Sequence, residues 1–399
     1  MNDGAQSGAQ AIAGHPLPRG TNQSGMRANN EKLILSLIRR HGALAKSDLT
    51  RLTGLSAQTI SVIIRALEND GLLTRGEPVR GRIGQPSVPM SLDPHGAYFY
   101  GLKIGRRSVD LVLVDFNGTL VAFDRQTYRY PTPDAVVEFV RRHLPAMSDA
   151  LPASRRNRIA GLGIAMPFEL WSWVDSIGAP QAEMDQWRTR DIAAEIEALV
   201  DLTVTVHNDA SAACDAELVF GTGDKPRDFL YYYVGYFIGG GLVLDGKLFT
   251  GRNGNAAGVG PMPVPGPDGA MRRLMEVASL STLAREIDAQ GGEGNQLWET
   301  PDSWDIDDGI LSAWIESAAA GLASSTLSAA TLIELEAVVI DGWIPAGVRA
   351  RLTERTGALF NRFDLSGFEP PLILEGTVGP QARALGGAAI ALSQRYLVD

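Results

Sequence analysis

The stretch from residue 43 to residue 86 constrains the fold most, because its turn and cap signals fix two short helices at a sharp angle. The first helix is predicted to run from about Ser47, a suitable N-cap, to Thr53, and Gly54 then permits a tight reversal. Ser56 is predicted to cap a second helix. The buried stripe of that helix recurs at helical spacing and consists of Ile60, Ile63, Ile64 and Leu67.

The opposite face of this second helix is short and polar. Side chains of this kind at the start of a helix suit the major groove of DNA. The candidate DNA-contacting residues on this helix and its cap are Ser56, Gln58, Thr59, Ser61 and Arg65.

A strand beginning at Leu72 and a returning Gly- and Pro-rich segment follow the second helix and predict a wing. Arg80, Arg82 and Gln85 in that segment are candidates for contacts with phosphates or the minor groove. An upstream helix from about Asn30 to His41 would complete a three-helix core. The pattern predicts a winged helix-turn-helix over residues 27–92, and the alternative is a small helical domain that binds protein.

The distribution of charge along the chain supports the winged helix-turn-helix. Residues 1–90 carry 11 Lys and Arg against 6 Asp and Glu, whereas the remaining residues carry 25 against 40. The basic end of the chain is therefore the candidate nucleic-acid end, and the acidic remainder is a poor surface for DNA or an anionic membrane.

Composition places the chain among ordinary soluble proteins, for which we expect a cytoplasmic location. The single cysteine, Cys214, excludes an internal disulfide. Residues 1–26 lack the apolar run of a signal peptide and are predicted to be a disordered tail. We expect no membrane span.

After the wing, the hydrophobic period changes to that of strands. Three strands near 98–127, a helix from about Pro133, a strand at 159–166, a helix near 189–200 and a strand at 202–209 are predicted. A hairpin around Asp245-Gly246 and buried strands at 337–342 and 372–376 follow. This order of strands and helices therefore occurs twice.

Five sequence segments within that repeat resemble the ROK family of repressors, open reading frames and kinases. They are HNDASAACDAELVFGTG at 207–223, YYYVGYFIGGGLVLDGKLFTG and NAAGVGPMPV within 231–264, LMEVAS at 274–279 and ELEAVVIDG at 334–342. The resemblance implies an α/β two-lobed body of the sugar-kinase and actin-like (ribonuclease H-like) type behind the winged helix. It also implies a first lobe at 93–210 and a second lobe at 211–399, with the final helix packed back on the first lobe.

The chain departs from the family kinases at both nucleotide loops. The segment that matches the Asp-x-Gly-Gly-Thr loop begins with Lys103 and contains Arg106 and Arg107, and the second glycine-rich loop carries Tyr236 and Phe237. A missing carboxylate and bulky side chains should prevent phosphate and metal from being positioned. We therefore expect no kinase activity, no catalytic residues and no cofactor.

The resemblance also implies where a sugar would bind. Asn208, Asp209 and Glu276 match sugar-contacting residues of the family, whereas Gly258 and Pro261 replace two others. The alternative is that Asn208 and Asp209 only cap a helix and that Glu276 is a solvated helix-start acid. The family's zinc-binding His and Cys residues are absent, so no metal is expected.

Together these features predict a DNA-binding transcription regulator that represses genes for carbohydrate uptake or catabolism and has an inactive sugar-sensing body. Its expected partners are double-stranded operator DNA, a sugar or sugar derivative, and further copies of the chain in a homodimer or dimer of dimers. Two alternatives stay open: an active sugar kinase with an attached DNA-binding domain, and a DNA-binding scaffold that needs no ligand.

Overall fold

The computed structural model describes residues 23–78, 88–174, 178–223 and 226–398. Its first part is a winged helix built from three helices and a three-stranded sheet of order β1-β3-β2. The elements are α1 (Gln23–His41), β1 (Leu44–Ala45), α2 (Lys46–Thr53), α3 (Ala57–Asn69), β2 (Leu73–Arg75) and β3 (Pro89–Leu92).

The turn between α2 and α3 forms as the sequence predicts, with Gly54 in the left-handed conformation at φ +70°. Two boundaries differ from the prediction. Helix α2 starts at Lys46 after Ala45, and Ser47 does not cap it, because Ala45 pairs with Pro89 in the sheet and is already extended. Helix α1 starts at Gln23, so residues 23–26 are helical and do not belong to a disordered tail.

The first lobe is a five-stranded sheet of order β6-β5-β4-β7-β8, in which β6, β5 and β4 are antiparallel and β7 and β8 are parallel to β4. Its core lies between this sheet and the helices that follow β6 and β7. The elements are β4 (Tyr98–Ile104), β5 (Ser108–Asp115), β6 (Leu120–Thr127), α4 (Pro133–Asp149), β7 (Ile159–Met166), α5 (Gln181–Thr189), α6 (Ile192–Glu197) and β8 (Val204–Asn208).

The second lobe repeats this arrangement with the order β11-β10-β9-β14-β15. A two-stranded sheet, β12 with β13, is added to it. The elements are α7 (Asp209–Phe220), β9 (Phe229–Val234), β10 (Gly239–Leu244), β11 (Lys247–Phe249), β12 (Pro263–Pro265), β13 (Met271–Arg273), α8 (Leu280–Ala289), α9 (Asp308–Ala330), β14 (Ala337–Gly342), α10 (Ala346–Phe360), β15 (Leu372–Glu375) and α11 (Ala382–Tyr396).

Two elements of the lobes differ from the sequence prediction. The helix expected near 189–200 is shorter and corresponds to α6, which Asp191 caps through Ala194 N at 3.1 Å, and the sequence did not predict α5, which precedes it and ends before the extended Arg190. Strand β15 is not fully buried, because it lies at the edge of its sheet and Leu372 is 65% exposed.

The last helix, α11, packs against β4 and β7 of the first lobe at backbone distance. A Cβ added to Gly387 would lie 2.4 Å from the carbonyl oxygen of Gly163, and one added to Gly386 would lie 2.0 Å from that of Ala212 in α7. Only glycine permits this approach. Helices α7 and α11 therefore form the seam between the lobes.

The winged helix shares a hydrophobic core with the first lobe. Ile34 and Ile38 of α1 belong to the same buried cluster as Phe99 of β4 and Leu392 of α11. Arg39 of α1 donates a hydrogen bond to the carbonyl of Phe116 and stacks on that ring at 5.3 Å. The winged helix and the first lobe are thus one packed unit. No helix among the described residues is long and apolar enough to cross a membrane.

Candidate ligand cleft and nucleic-acid interface

Helix α3 presents the polar face that the sequence predicts. The hydroxyl of Ser56 accepts a hydrogen bond from Thr59 N at 3.1 Å, so the first turn is capped. Gln58 and Arg65 are exposed, while Thr59 and Ser61 are half-buried. The stripe facing the core is buried throughout: Ile60, Ile63, Ile64 and Leu67.

One residue of this face escaped the sequence prediction. Val62 is 52% exposed and lies four residues after Gln58 and three before Arg65, so it shares their face. An exposed apolar side chain on such a helix suits the methyl group of thymine. The signal was available, because Val62 falls outside the buried stripe.

The wing residues Arg80, Arg82 and Gln85 lie outside the described residues. The strands on either side of them are described: β2 pairs antiparallel with β3 in the register Leu73 to Leu92 and Arg75 to Met90.

A cleft of about 740 Å³ lies between the lobes. It is lined from the first lobe by the turn after β4, the segment after β7 and the end of β8, and from the second lobe by the turn before β10 and the loops after β11. Its polar lining residues include Arg106, Glu169, Asn208, Asp209, Arg252, Asn253, Asn255 and Arg383.

Asn208 and Asp209 both lie in this cleft, at the junction of β8 and α7. The side-chain oxygen of Asn208 accepts hydrogen bonds from Ala210 N at 3.0 Å and Ser211 N at 3.3 Å, so this residue caps α7. The carboxylate of Asp209 is bound to Arg383 of α11 at 3.1 Å. The capping role that the sequence left open is therefore present for Asn208, and Asp209 is an ion-pair partner.

Glu276 does not line the cleft with the other two predicted ligand residues, Asn208 and Asp209. Its carboxylate accepts hydrogen bonds from the backbone N and the guanidinium of Arg273, both at 2.8 Å, and its side chain is 41% exposed. Among the described residues, the cleft is lined by its neighbour Met275 and by Gly258 and Pro261, but not by Glu276. A short helical turn at 274–276 explains this, because Glu276 closes a capping box there.

The turn after β4, where family kinases carry their first phosphate loop, is filled by Lys103. The ammonium group of Lys103 donates to Ser108 Oγ at 2.6 Å and lies 3.3 Å from the carboxylate of Asp110. It also lies under Gly105, where an added Cβ would be 2.6 Å from Nζ. Burial lowers the pKa of Lys103 to about 8, and Asp110 opposes that shift.

The matching turn of the second lobe, between β9 and β10, is filled by aromatic rings. Phe237 stacks on Trp173 of the first lobe at 4.6 Å, and Tyr236 packs against Trp298 at 5.2 Å. The guanidinium of Arg106 lies over the Phe237 ring at 5.0 Å, and that of Arg107 over Tyr236 at 5.8 Å. The two turns thus meet through cation–π contacts.

A third contact of this kind crosses between the lobes. Arg125 of β6 lies 4.1 Å over the ring of Trp343, donates to the carbonyl of Trp298 at 3.1 Å and approaches Asp110 at 3.6 Å. Within the described residues, no group of three or more His, Cys, Asp or Glu side chains is placed to hold a metal ion.

Comparison with known proteins agrees with this architecture. The ROK family model matches residues 99–394, and the MarR family model matches residues 24–83. The Bacillus subtilis xylose repressor is 22% identical over 242 residues, which are 61% of this chain and 62% of the repressor. The aligned part thus spans less than two thirds of that relative.

Two solved structures share the fold. A ROK family transcriptional regulator, described as a homologue of the E. coli Mlc protein, superposes with a TM-score of 0.66 at 19% identity, over 93% of this chain and 97% of that one. A ROK family glucokinase from Streptomyces griseus, in complex with glucose and AMPPNP, superposes with a TM-score of 0.57 at 21% identity, over 74% of this chain and 99% of that one. Regulators and kinases therefore both have this fold.

Proposed function

The chain belongs to the ROK family, and from that premise we propose that it is a sugar-responsive transcriptional regulator that represses genes of carbohydrate uptake or catabolism. The MarR-type winged helix in front of the body would bind operator DNA. The relative named xylose repressor supports this assignment. Because its target is chromosomal DNA, the protein would act in the cytoplasm.

The observation that supports a non-catalytic body is the filling of both phosphate turns. A Lys103 ammonium group lies 2.6 Å from Ser108 Oγ beneath the first turn, and Phe237 stacks on Trp173 in the second. Phosphoryl transfer depends on positioned phosphates and metal, and these side chains leave neither turn open. Asp209, which would act as the base, is held by Arg383.

DNA recognition is assigned to the exposed face of α3. Gln58 and Val62 would contact base edges, while Arg65 and the wing residues Arg80, Arg82 and Gln85 would contact the backbone. Two winged helices in a homodimer would read a two-fold symmetric operator, whose half-site spacing would follow from the dimer interface.

Signal transfer would use the shared core of the winged helix and the first lobe. A sugar in the cleft contacts both lobes, so its binding would change how the second lobe lies against the first. Because α1 is packed on the first lobe, the two winged helices of a dimer would then change their spacing. We expect the sugar to weaken DNA binding.

The test begins with selection of a bound sequence from random DNA, followed by affinity measurements. Gln58→Ala and Val62→Ala should each relax base preference, whereas Arg82→Ala should weaken binding to all sequences and flatten its salt dependence. Asn69→Ala, at the far end of α3, is the matched control and should change neither. Failure to enrich any sequence would refute the proposal that the chain is a transcriptional regulator.

The two alternatives are separated by two further measurements. Sugar-dependent ATP turnover that Asp209→Ala abolishes would establish a kinase instead. Operator affinity that no sugar changes would favour a scaffold that binds DNA without a ligand.

A further inference from the structure

The guanidinium group of Arg106 packs in the interlobe cleft against two aromatic rings, Trp173 and Phe237, which also contact each other at 4.6 Å. It lies 4.8 Å from the centre of the Trp173 ring and 5.0 Å from that of Phe237, with one ring supplied by each lobe. Contacts with aromatic rings restrict where a guanidinium can lie, but its N–H groups still need hydrogen-bond acceptors. The position of the Arg106 guanidinium is therefore restricted before any ligand arrives.

Nothing in the part of the chain that the structure describes accepts a hydrogen bond from Arg106. Its Nε is fully buried and has no partner. The Nε atoms of Arg107 and Arg125 also lack a hydrogen-bond partner, but their terminal nitrogens donate, Arg107 to the carbonyl of Arg129 at 2.9 Å and Arg125 to that of Trp298 at 3.1 Å. A buried charged donor without an acceptor costs folding free energy, so the missing acceptor at Arg106 calls for an explanation.

The carboxylate nearest to this group is already engaged. Asp209 is bound to Arg383 at 3.1 Å, and the Nε of Arg383 also lacks a partner. Burial lowers the pKa of Arg106 to about 10, and Asp209 opposes that shift, so the group is a cation at neutral pH. The cleft thus contains two guanidinium groups, Arg106 and Arg383, whose buried Nε atoms have no acceptor among the described residues.

We propose that the cleft binds a carbohydrate that carries an oxyanion, either a carboxylate or a phosphate, and that Arg106 receives this group. A guanidinium presents parallel N–H donors that match two oxygens of either anion. The polar side chains of Asn253 and Asn255, which line the same cleft, suit the hydroxyl groups. This inference rests on the proposed function, in which the cleft is the sensor's ligand site.

The experiment compares matched neutral and charged ligands on the full-length protein. Calorimetric titrations at constant ionic strength use glucose, gluconate, glucuronate, glucose 6-phosphate, xylose, xylonate and inorganic phosphate. We expect at least one charged sugar to bind ten or more times more tightly than its neutral parent. The carboxylate and phosphate members of the panel distinguish the two oxyanions.

The variants locate the effect. Arg106→Gln should weaken binding of the charged ligand at least about tenfold, because a charge-assisted pair of hydrogen bonds is lost. Arg106→Lys, which keeps the charge without the planar fork, should give an intermediate loss. Arg107→Gln is the matched control: it removes a neighbouring cation that lies outside the cleft lining, and should change affinity less than about twofold.

Several outcomes would overturn the inference. They are neutral sugars that bind as well as their charged counterparts, no binding by any charged sugar, equal losses in the Arg106→Gln and Arg107→Gln variants, or inorganic phosphate that binds as tightly as the sugar phosphate. Operator selection with the same preparation separates this inference from the proposed function. If an operator is enriched but any of these outcomes is found, the chain is a regulator and the anion site is refuted. If no operator is enriched, the proposed regulator function is refuted, whatever the result for Arg106.

Discussion

The two lobes have one strand order but supply different chemistry to the surface where they meet. The first lobe contributes the cations Arg106, Arg107 and Arg125 together with the ring of Trp173, while the second lobe contributes the rings of Tyr236, Phe237 and Trp343. The matching turns after β4 and β9 occupy equivalent positions in the two sheets. A repeated fold therefore fixes where the side chains meet, and the local residues decide what they do there.

Helices α11 and α10 differ in how closely each approaches its sheet. Helix α11 contacts the first sheet through glycines at backbone distance, whereas α10 contacts the second sheet at ordinary side-chain distance, with Gly357 placed so that an added Cβ would lie 3.9 Å from Ile373. The first sheet, α11 and the winged helix are consequently tightly packed together.

The largest expected effect tests this difference in packing. Gly387→Ala should destabilise the protein by roughly 3 kcal/mol, because its Cβ would meet the backbone of Gly163 at 2.4 Å and backbone cannot move aside. The matched change in the second lobe, Gly357→Ala, should stabilise by about 0.5–1 kcal/mol through helix propensity. Urea unfolding followed by circular dichroism measures both. Similar values for the two variants would contradict the contrast.

Arg125 tests the cation side of the interlobe surface. Arg125→Ala should cost about 2–3 kcal/mol, because it removes a stacked ring contact, a charge-assisted hydrogen bond and one of the two cations beside the buried Asp110. Arg141→Ala serves as the control and should cost less than about 0.5 kcal/mol, since Arg141 is 57% exposed and, among the residues that the structure describes, its ion pair is with the exposed Glu138. A loss at Arg125 no larger than at Arg141 would mean that the cross-lobe contacts do not stabilise the protein.

Local patterns in the sequence were enough to predict the winged helix and most strands. The Gly54 turn, the Ser56 cap and the buried stripe of α3 all depend on residues within a few positions of one another, so a sequence reveals them. Ser47 was predicted wrongly as a cap because a strand pairing between Ala45 and Pro89, distant in sequence, sets the start of α2.

The cleft was predictable only in part, because contacts distant in sequence decide the roles of its residues. Asn208 and Asp209 line the cleft, but the partner of Asp209 is Arg383, 174 residues further along the chain. Glu276 was separated from them by a local capping contact with Arg273. The contacts of the Arg106 guanidinium with Trp173 and Phe237 join residues that are distant in sequence, and no sequence pattern specified them.

The pH dependence of stability distinguishes a buried carboxyl group of the first lobe from one in α7. Asp110 of the first lobe has two cations beside it, whereas Asp215 of α7 forms no ion pair in the part of the chain that the structure describes, and burial raises the pKa of Asp215 to about 7. The folded state therefore keeps this proton between about pH 4 and pH 7 while the unfolded chain loses it, so stability falls as pH rises through that window. Below pH 4 both states are protonated, and above about pH 8 neither is.

Asp215→Asn should remove this dependence and stabilise the protein at pH 8 by about 1–2 kcal/mol, since the amide avoids a buried charge but still buries a polar group. At pH 4 it should change stability little. The measurement is urea unfolding of both proteins at pH 4, 6 and 8. A difference between the two proteins that stays constant with pH would show that Asp215 is not protonated in the folded state.

The smallest effect concerns the winged helix and compares two serines close to each other in sequence. Ser56→Ala should cost about 1 kcal/mol, because the hydroxyl accepts a hydrogen bond from Thr59 N that no other group replaces. Ser47→Ala should cost less than about 0.3 kcal/mol or nothing, since Ser47 lies within the first turn of α2 and is exposed. Urea unfolding gives both values, and DNA affinity should fall for Ser56→Ala alone. Equal costs would mean that the first turn of α3 does not depend on its Ser56 cap, although that cap helped to predict the helix from the sequence.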